Sequence, residues 1–233
     1  MMKKRTKTVN NSMSVRLDDL LQFEAITLNQ EKCYEAWDEG FNLVLTGTAG
    51  TGKTFNALYL ALEDVLDKET EYDRLVILRS MVPTRDMGFL PGTKAEKEEA
   101  FTTPYKNICH ELFGDKTSYN KMITAGQIQF ESTSFIRGTT FDNAIIIVDE
   151  MQNLNFHELD SVITRVGRHT KIIFSGDYKQ SDFKYDDEKQ GIIKFLQIVE
   201  QLKNFTVINF GWEDIVRSDF VRDYIMTKEM LGY

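Results

Sequence analysis

The sequence predicts an α/β fold, a mostly parallel sheet flanked by helices. Three observations predict it. Six apolar, β-branched runs recur along the chain, most of them too continuously apolar for strands with one face in water. Segments with apolar residues at helical spacing lie between several of them. The first run ends in a glycine-rich turn that leads straight into such a helix.

Taken in order, TLNQEKCYEAWDEG (27–40) reads as a helix. Thr27 and Gln30 have the spacing of a capping box, and Gly40 is placed to end the helix. FNLVLTG (41–47) is a buried strand. Phe55, Leu58, Tyr59, Leu62, Val65 and Leu66 then mark an amphipathic helix. RLVILRS (74–80), QIQFES (127–132), NAIIIVDE (143–150), TKIIFSGD (170–177) and FTVINF (205–210) supply the other strands. NFHELDSVITRVG (155–167) and GIIKFLQIVEQL (191–202) read as helices. The segment 81–126 breaks the rhythm. It holds all three prolines, its middle looks like an exposed helix start, and excursions of this length tend to be functional loops or lids.

Hydrophobic residues make up 42% of the 233 and charged residues 27%, which describes a globular chain with enough apolar material for a core. The expected organisation is a basic, flexible tail over 1–14 and one domain over 15–233 with the excursion at 81–126. No apolar run approaches the roughly 20 residues of a membrane helix, and no signal-peptide core follows the basic start, so neither a membrane nor export is expected. Cys33 and Cys109 lack metal-type spacing and need not pair, which fits a reducing cytoplasmic setting. The three histidines form no zinc pattern and read as surface or partly packed residues. A net charge of −8 means that binding to nucleic acid would need a local basic groove.

The chemistry starts at GTAGTGKT (47–54), which fits G-x-x-x-x-G-K-[ST]. Backbone N–H groups of Gly47, Thr48, Ala49, Gly50, Thr51 and Gly52 would cradle phosphate oxygens, helped by the N-terminus of the following helix. Lys53 would reach the β- and γ-phosphates of ATP, and the Thr54 hydroxyl would hold Mg²⁺. The stretch AIIIVDEMQN (144–153) ends a strand on two adjacent acids. Asp149 is assigned to the metal. Glu150 is assigned to catalysis, as the group that orients the attacking water or takes its proton. In FSGDYKQSD (174–182), Gln180 is the candidate γ-phosphate or water sensor and Asp177 holds the turn. Gln30 could read adenine through its amide or serve only as the capping residue; the residues leave both open.

These motifs, together with MGFLPG (87–92), FIRGTTFDNAIIIVDEMQN (135–153), TRVGRHTKIIFSGDYKQSD (164–182) and EDIVRSDFV (213–221), occur in an order that resembles the PhoH-like ATPases, relatives of superfamily 1 helicases. The resemblance runs from about residue 27 to the end. It implies a RecA-like P-loop core, ATP as nucleotide and Gln30 as an adenine reader. It implies that Gln180 lies near the γ-phosphate and that Glu150 follows the strand beside the P-loop strand. Arg137, in the IRG step, would meet nucleic acid or a neighbouring subunit. Two departures stand out: Met151 replaces the family's usual alanine, and RSMV (79–82) replaces R-P-A-V, which leaves Arg79 without a detailed role.

Arg217 of EDIVRSDFV matches an arginine that helicases of this superfamily carry in a second core domain. With one core, it must serve its own site or a neighbour's, and the second option requires a head-to-tail assembly such as a hexameric ring. The expected function is Mg²⁺-dependent ATP hydrolysis coupled to binding or moving along single-stranded RNA or DNA, as a ring. The alternatives are an ATP-gated binding module with little turnover and a P-loop kinase. Arg137, the excursion and the basic tail are the candidate nucleic-acid contacts; the aromatics Phe101, Tyr105 and Tyr119 could stack on bases, but core or lid packing is the commoner fate of such residues.

Overall fold

Chains whose apolar runs are covered on both faces build parallel sheets, because only helical crossovers return the chain to the same edge. The computed structural model bears this out. It describes residues 15–80, 94–136, 138–177 and 186–232. The elements are α1 (Leu28–Asp38), β1 (Asn42–Gly47), α2 (Lys53–Leu66), β2 (Arg74–Arg79), α3 (Lys94–Phe113), α4 (Ser118–Thr124), β3 (Ile128–Ser132), β4 (Ala144–Val148), α5 (Phe156–Ile163), β5 (Thr170–Ser175), α6 (Asp186–Val199), β6 (Phe205–Phe210) and α7 (Asp219–Met230). The six strands form one sheet in the order β3-β2-β4-β5-β1-β6, with every pair parallel. No helix among the described residues is long and apolar enough to cross a membrane.

Alternation along the strands sorts side chains to two faces. Leu43, Leu45, Ile77, Ile145, Ile147 and Ile173 pack on α1, α2 and α3. Val44, Val76, Ile146, Val148 and Phe174 pack on α5 and α6. All five residues of β4 are buried, as its unbroken AIIIV requires. Helix α2 buries Leu58 and Leu62 completely. Truncating either to alanine should cost about 2–5 kcal/mol.

Two expectations need correction. The strand before Glu150 does not lie beside the P-loop strand. β5 pairs with both β1 and β4 and separates them. Asp149 nevertheless reaches the P-loop helix, where Thr54 donates to it; β5, which lies between, ends at Ser175. Tyr105 and Tyr119 are not available to stack on bases. They are 0% and 3% exposed and belong to the core, where α3 and α4 pack against β3 and α2. That part of the excursion is a packed helical pair. Residues 1–14 and 81–93 lie outside the described residues, and with them the basic tail and the MGFLPG motif.

Candidate nucleotide site

A parallel sheet brings the carboxyl ends of its strands to one rim, and ligands bind there. The rim carries the turns after β1, β4, β5 and β6, and it opens into a cleft of about 610 Å³. Ala49, Gly50, Thr51, Gly52, Lys53 and Thr54 line it, with Asp149, Glu150, Gln152, Asp177, Gln30 and Arg217.

The P-loop leaves β1 at Gly47, whose φ of +111° and contact with β6 both demand glycine. A Cβ there would sit 2.1 Å from the Phe210 carbonyl oxygen. Thr48 N–H continues the ladder to that oxygen at 3.0 Å. Lys53 is buried, and its ammonium donates to the carbonyls of Gly47 and Thr48 at 2.8 and 2.7 Å and to Thr51 Oγ1 at 3.4 Å. These oxygens hold the cation where a phosphate would compete for it. Burial pulls the Lys53 pKa below its ordinary value, against Asp177, Glu150, Asp149 and Glu229, which favour the charged form.

Thr54 Oγ1 donates to Asp149 Oδ1 at 3.0 Å. A hydroxyl and a carboxylate are hard oxygen donors, and Mg²⁺ takes few protein ligands while keeping several waters. The pair therefore fits that ion. No group of three or more acidic, histidine or cysteine residues that could hold a metal ion occurs among the described residues.

Glu150 follows directly, in the left-handed region at φ +53°. This conformation is uncommon for a residue with a Cβ. It turns the half-buried Glu150 side chain into the cleft, away from the course of β4. Its carboxylate accepts from the Gln152 amide, and Gln152 Oε1 accepts from Asp177 N–H at 3.1 Å. Burial, with Asp149 alongside, pushes the Glu150 carboxyl above its ordinary range, while Arg79, Gln152 and Lys53 draw it back. A carboxylate held in this way suits a proton acceptor.

Gln30 stands at the first turn of α1 and lines the cleft. Thr27 Oγ1 caps α1 by accepting from Gln30 N–H at 3.4 Å. The Gln30 side chain does not close the box on Thr27. Its Oε1 accepts from Ile26 N–H at 3.0 Å, and its Nε2 donates to the Thr51 carbonyl at 3.3 Å. One N–H and one lone pair of the amide remain for a ligand. Around it, Phe23, Ile26, Tyr34, Phe55 and Ile108 make one end of the cleft apolar, which suits a base.

Arg217 is exposed and lines the cleft of its own chain, with its Cγ 3.1 Å from where a Gly50 Cβ would stand. The preceding residue ties it there, since Val216 N–H donates to the Gly50 carbonyl at 3.0 Å. Gln180 and Arg137 lie outside the described residues.

Sequence reasoning missed Gln152, which lay inside the quoted AIIIVDEMQN and could have been found by its place two residues beyond the acid. It also missed Ile108 and Glu111 of α3, which wall the cleft; nothing in their local pattern marks them.

Comparisons agree with the geometry. A family model described as "PhoH-like protein" matches residues 22–228. The chain is 29% identical over 200 residues to a PhoH-like protein of Mycobacterium leprae, covering 85% of this chain and 56% of that one. It is 32% identical over 175 residues to Protein PhoH of Escherichia coli, covering 74% and 49%. It is 37% identical over 165 residues to Protein PhoH2 of Bacillus subtilis, covering 69% and 37%. The chain thus spans about half the length of the curated relatives it matches. Among solved structures, the large terminase of a thermophilic bacteriophage, in complex with ADP, aligns with a TM-score of 0.50 at 12% identity, covering 88% of this chain and 50% of that one. That likeness concerns the fold alone.

Proposed function

The chain belongs to the PhoH-like family, and from that premise and the geometry of the cleft we propose that it hydrolyses ATP, with Mg²⁺, and couples hydrolysis to binding or moving along single-stranded RNA or DNA. The observation that carries the hydrolytic half is the placement of Glu150. It stands beside the Thr54–Asp149 pair and across from Lys53, in the left-handed turn that aims it into the cleft.

The residues divide the work. The apolar end and Gln30 receive the adenine. The loop N–H groups and Lys53 hold the β- and γ-phosphates, with Lys53 exchanging the Gly47 and Thr48 carbonyls for phosphate oxygens. Thr54 and Asp149 would hold the Mg²⁺ ion, which when bound would supply positive charge against the phosphates. Glu150, steadied by Gln152, orients a water and takes its proton. Gln180 is the proposed phosphate sensor. A carboxylate dedicated to water favours hydrolysis over transfer to another acceptor.

Arg217 supplies positive charge to the γ-phosphate end, and such an arginine can add roughly 10³–10⁵ in rate. Its position beside Gly50 supports a site complete within one chain. The ring assembly therefore loses the argument that this arginine must come from a neighbour. The two arrangements differ in a measurable way. A rate per subunit that is independent of protein concentration supports the single-chain site, and a rate that climbs with concentration supports a ring completed in trans.

The nucleic-acid half rests on the resemblance of the motif series to superfamily 1 helicases, with Arg137 as the proposed contact. The two free, buried thiols fit a reducing cytoplasmic setting. The test is phosphate release with and without single-stranded RNA or DNA, across a range of salt. Stimulation that weakens as salt rises supports phosphate contacts. Turnover indifferent to both nucleic acids supports the ATP-gated binding module instead.

A further inference from the structure

The metal carboxylate Asp149 is held from two sides. Its Oδ1 accepts from Thr54, and its Oδ2 accepts from the Tyr105 hydroxyl at 2.7 Å. Tyr105 lies on α3, in the excursion between β2 and β3, and is fully buried. It does not line the cleft; it stands behind Asp149. Arg79 closes the group from the end of β2. Its Nη1 lies 3.5 Å from Tyr105 Oη and 3.9 Å from Asp149 Oδ2, and its guanidinium sits 5.7 Å from the centre of the Phe101 ring.

The chemistry of this arrangement is selective. A carboxylate that meets a cation through one oxygen must not swing its other oxygen into the same place. A donor on Oδ2 fixes the plane of the group and leaves Oδ1 toward Thr54. A phenol does this without adding formal positive charge, so it draws less on the carboxylate's attraction for a cation than a guanidinium in the same short contact would. A guanidinium paired bidentately with Asp149 would cancel that charge. Here the guanidinium is held off at 3.9 Å and the neutral phenol takes the short contact.

We propose that Tyr105 is a positioning residue for Asp149, and that its hydroxyl orients the carboxylate that receives the divalent cation. Through it, helix α3 of the excursion is mechanically joined to the nucleotide site. The inference deepens the ATPase reading and rests on its assignment of Asp149 to the metal.

The test is Tyr105→Phe, which keeps the ring and removes only the hydroxyl. Mn²⁺ affinity for the ADP-bound protein is measured by electron paramagnetic resonance, beside ADP affinity without metal. Mn²⁺ binding should weaken about 10- to 100-fold, while metal-free ADP affinity is unchanged. In an Asp149→Asn background, Tyr105→Phe should produce no further loss. Unchanged Mn²⁺ affinity in folded Tyr105→Phe, or an equal further loss without Asp149, would overturn the proposal. Arg79→Gln provides a second variant with the phenol in place, and its loss should be the smaller; a larger one would assign the orienting role to Arg79. If the wild-type protein released no phosphate while Tyr105→Phe still weakened Mn²⁺, the ATPase reading would fail and this inference would stand. ATP turnover with Mn²⁺ binding unmoved would give the reverse.

Discussion

The side-chain amide of Gln152 donates to the carboxylate of Glu150 while its oxygen accepts from the backbone N–H of Asp177. One side chain thereby fixes Glu150, the proposed proton acceptor, to the turn after β5, across the rim of the sheet. Gln152→Leu should leave the site folded and release Glu150. A misplacement of about 1 Å can lower turnover roughly 100-fold, so kcat should fall by that order with nucleotide affinity retained. Steady-state ATPase assays beside ADP titration check it, and a loss of affinity with kcat intact would contradict it.

Gly176 makes that bridge possible. A Cβ on it would lie 2.3 Å from Gln152 Oε1 and 2.9 Å from Met151 N. The constraint is clearance, since no positive φ is involved. Gly176→Ala should displace the turn that carries Glu150 and Gln152. We expect destabilisation of about 1–3 kcal/mol, read by urea unfolding, together with a fall in kcat.

Asp214 anchors the turn that leads to Arg217. It is buried, and its Oδ2 accepts from Asn29 Nδ2 at 2.7 Å and from Gly211 N–H at 2.8 Å. Burial acts to raise its pKa, but hydrogen bonds from Thr27, Asn29 and Gly211 outweigh it, and the carboxyl lies below its ordinary range. A depressed folded-state pKa means that the stabilisation is present above the unfolded value of about 3.9. It disappears as pH falls through the lower folded value. Asp214→Ala should therefore cost roughly 3 kcal/mol at neutral pH, and the gap to wild type should narrow in strong acid. Unfolding midpoints measured against pH check both statements.

Cys33 and Cys109 are fully buried, and burial pushes each thiol up to about 12. Thiolate is the reactive form. Both cysteines should resist maleimide labelling in the native protein and react fully in denaturant, as mass spectrometry would show. Rapid labelling of folded protein would contradict the packing of α1 and α3.

The strands were legible because continuous apolar runs such as AIIIV admit few other structures. The P-loop and the Asp149–Glu150 pair were legible because the chemistry depends on residues adjacent in sequence. Strand order was not. Local pattern carries no information about which strands neighbour each other, and β5 between β1 and β4 had to be seen. The partner of Tyr105 was not legible for a related reason. An aromatic in an excursion can stack or pack, and only the fold brings it, 44 positions away, to the Asp149 carboxylate. The place of Arg217 in the cleft of its own chain depended on how the segment after β6 returns to Gly50, which no local pattern states.

The central claim is that Glu150 makes this cleft hydrolytic. Phosphate release from ATP by purified wild-type protein and by Glu150→Gln, with nucleotide binding measured on both, tests it most directly. The account predicts Mg²⁺-dependent release by the wild type, a drop of about 10²–10⁴ in the variant, and unchanged nucleotide binding. Undiminished release by Glu150→Gln, or transfer of the γ-phosphoryl group to an added acceptor without release, would contradict it.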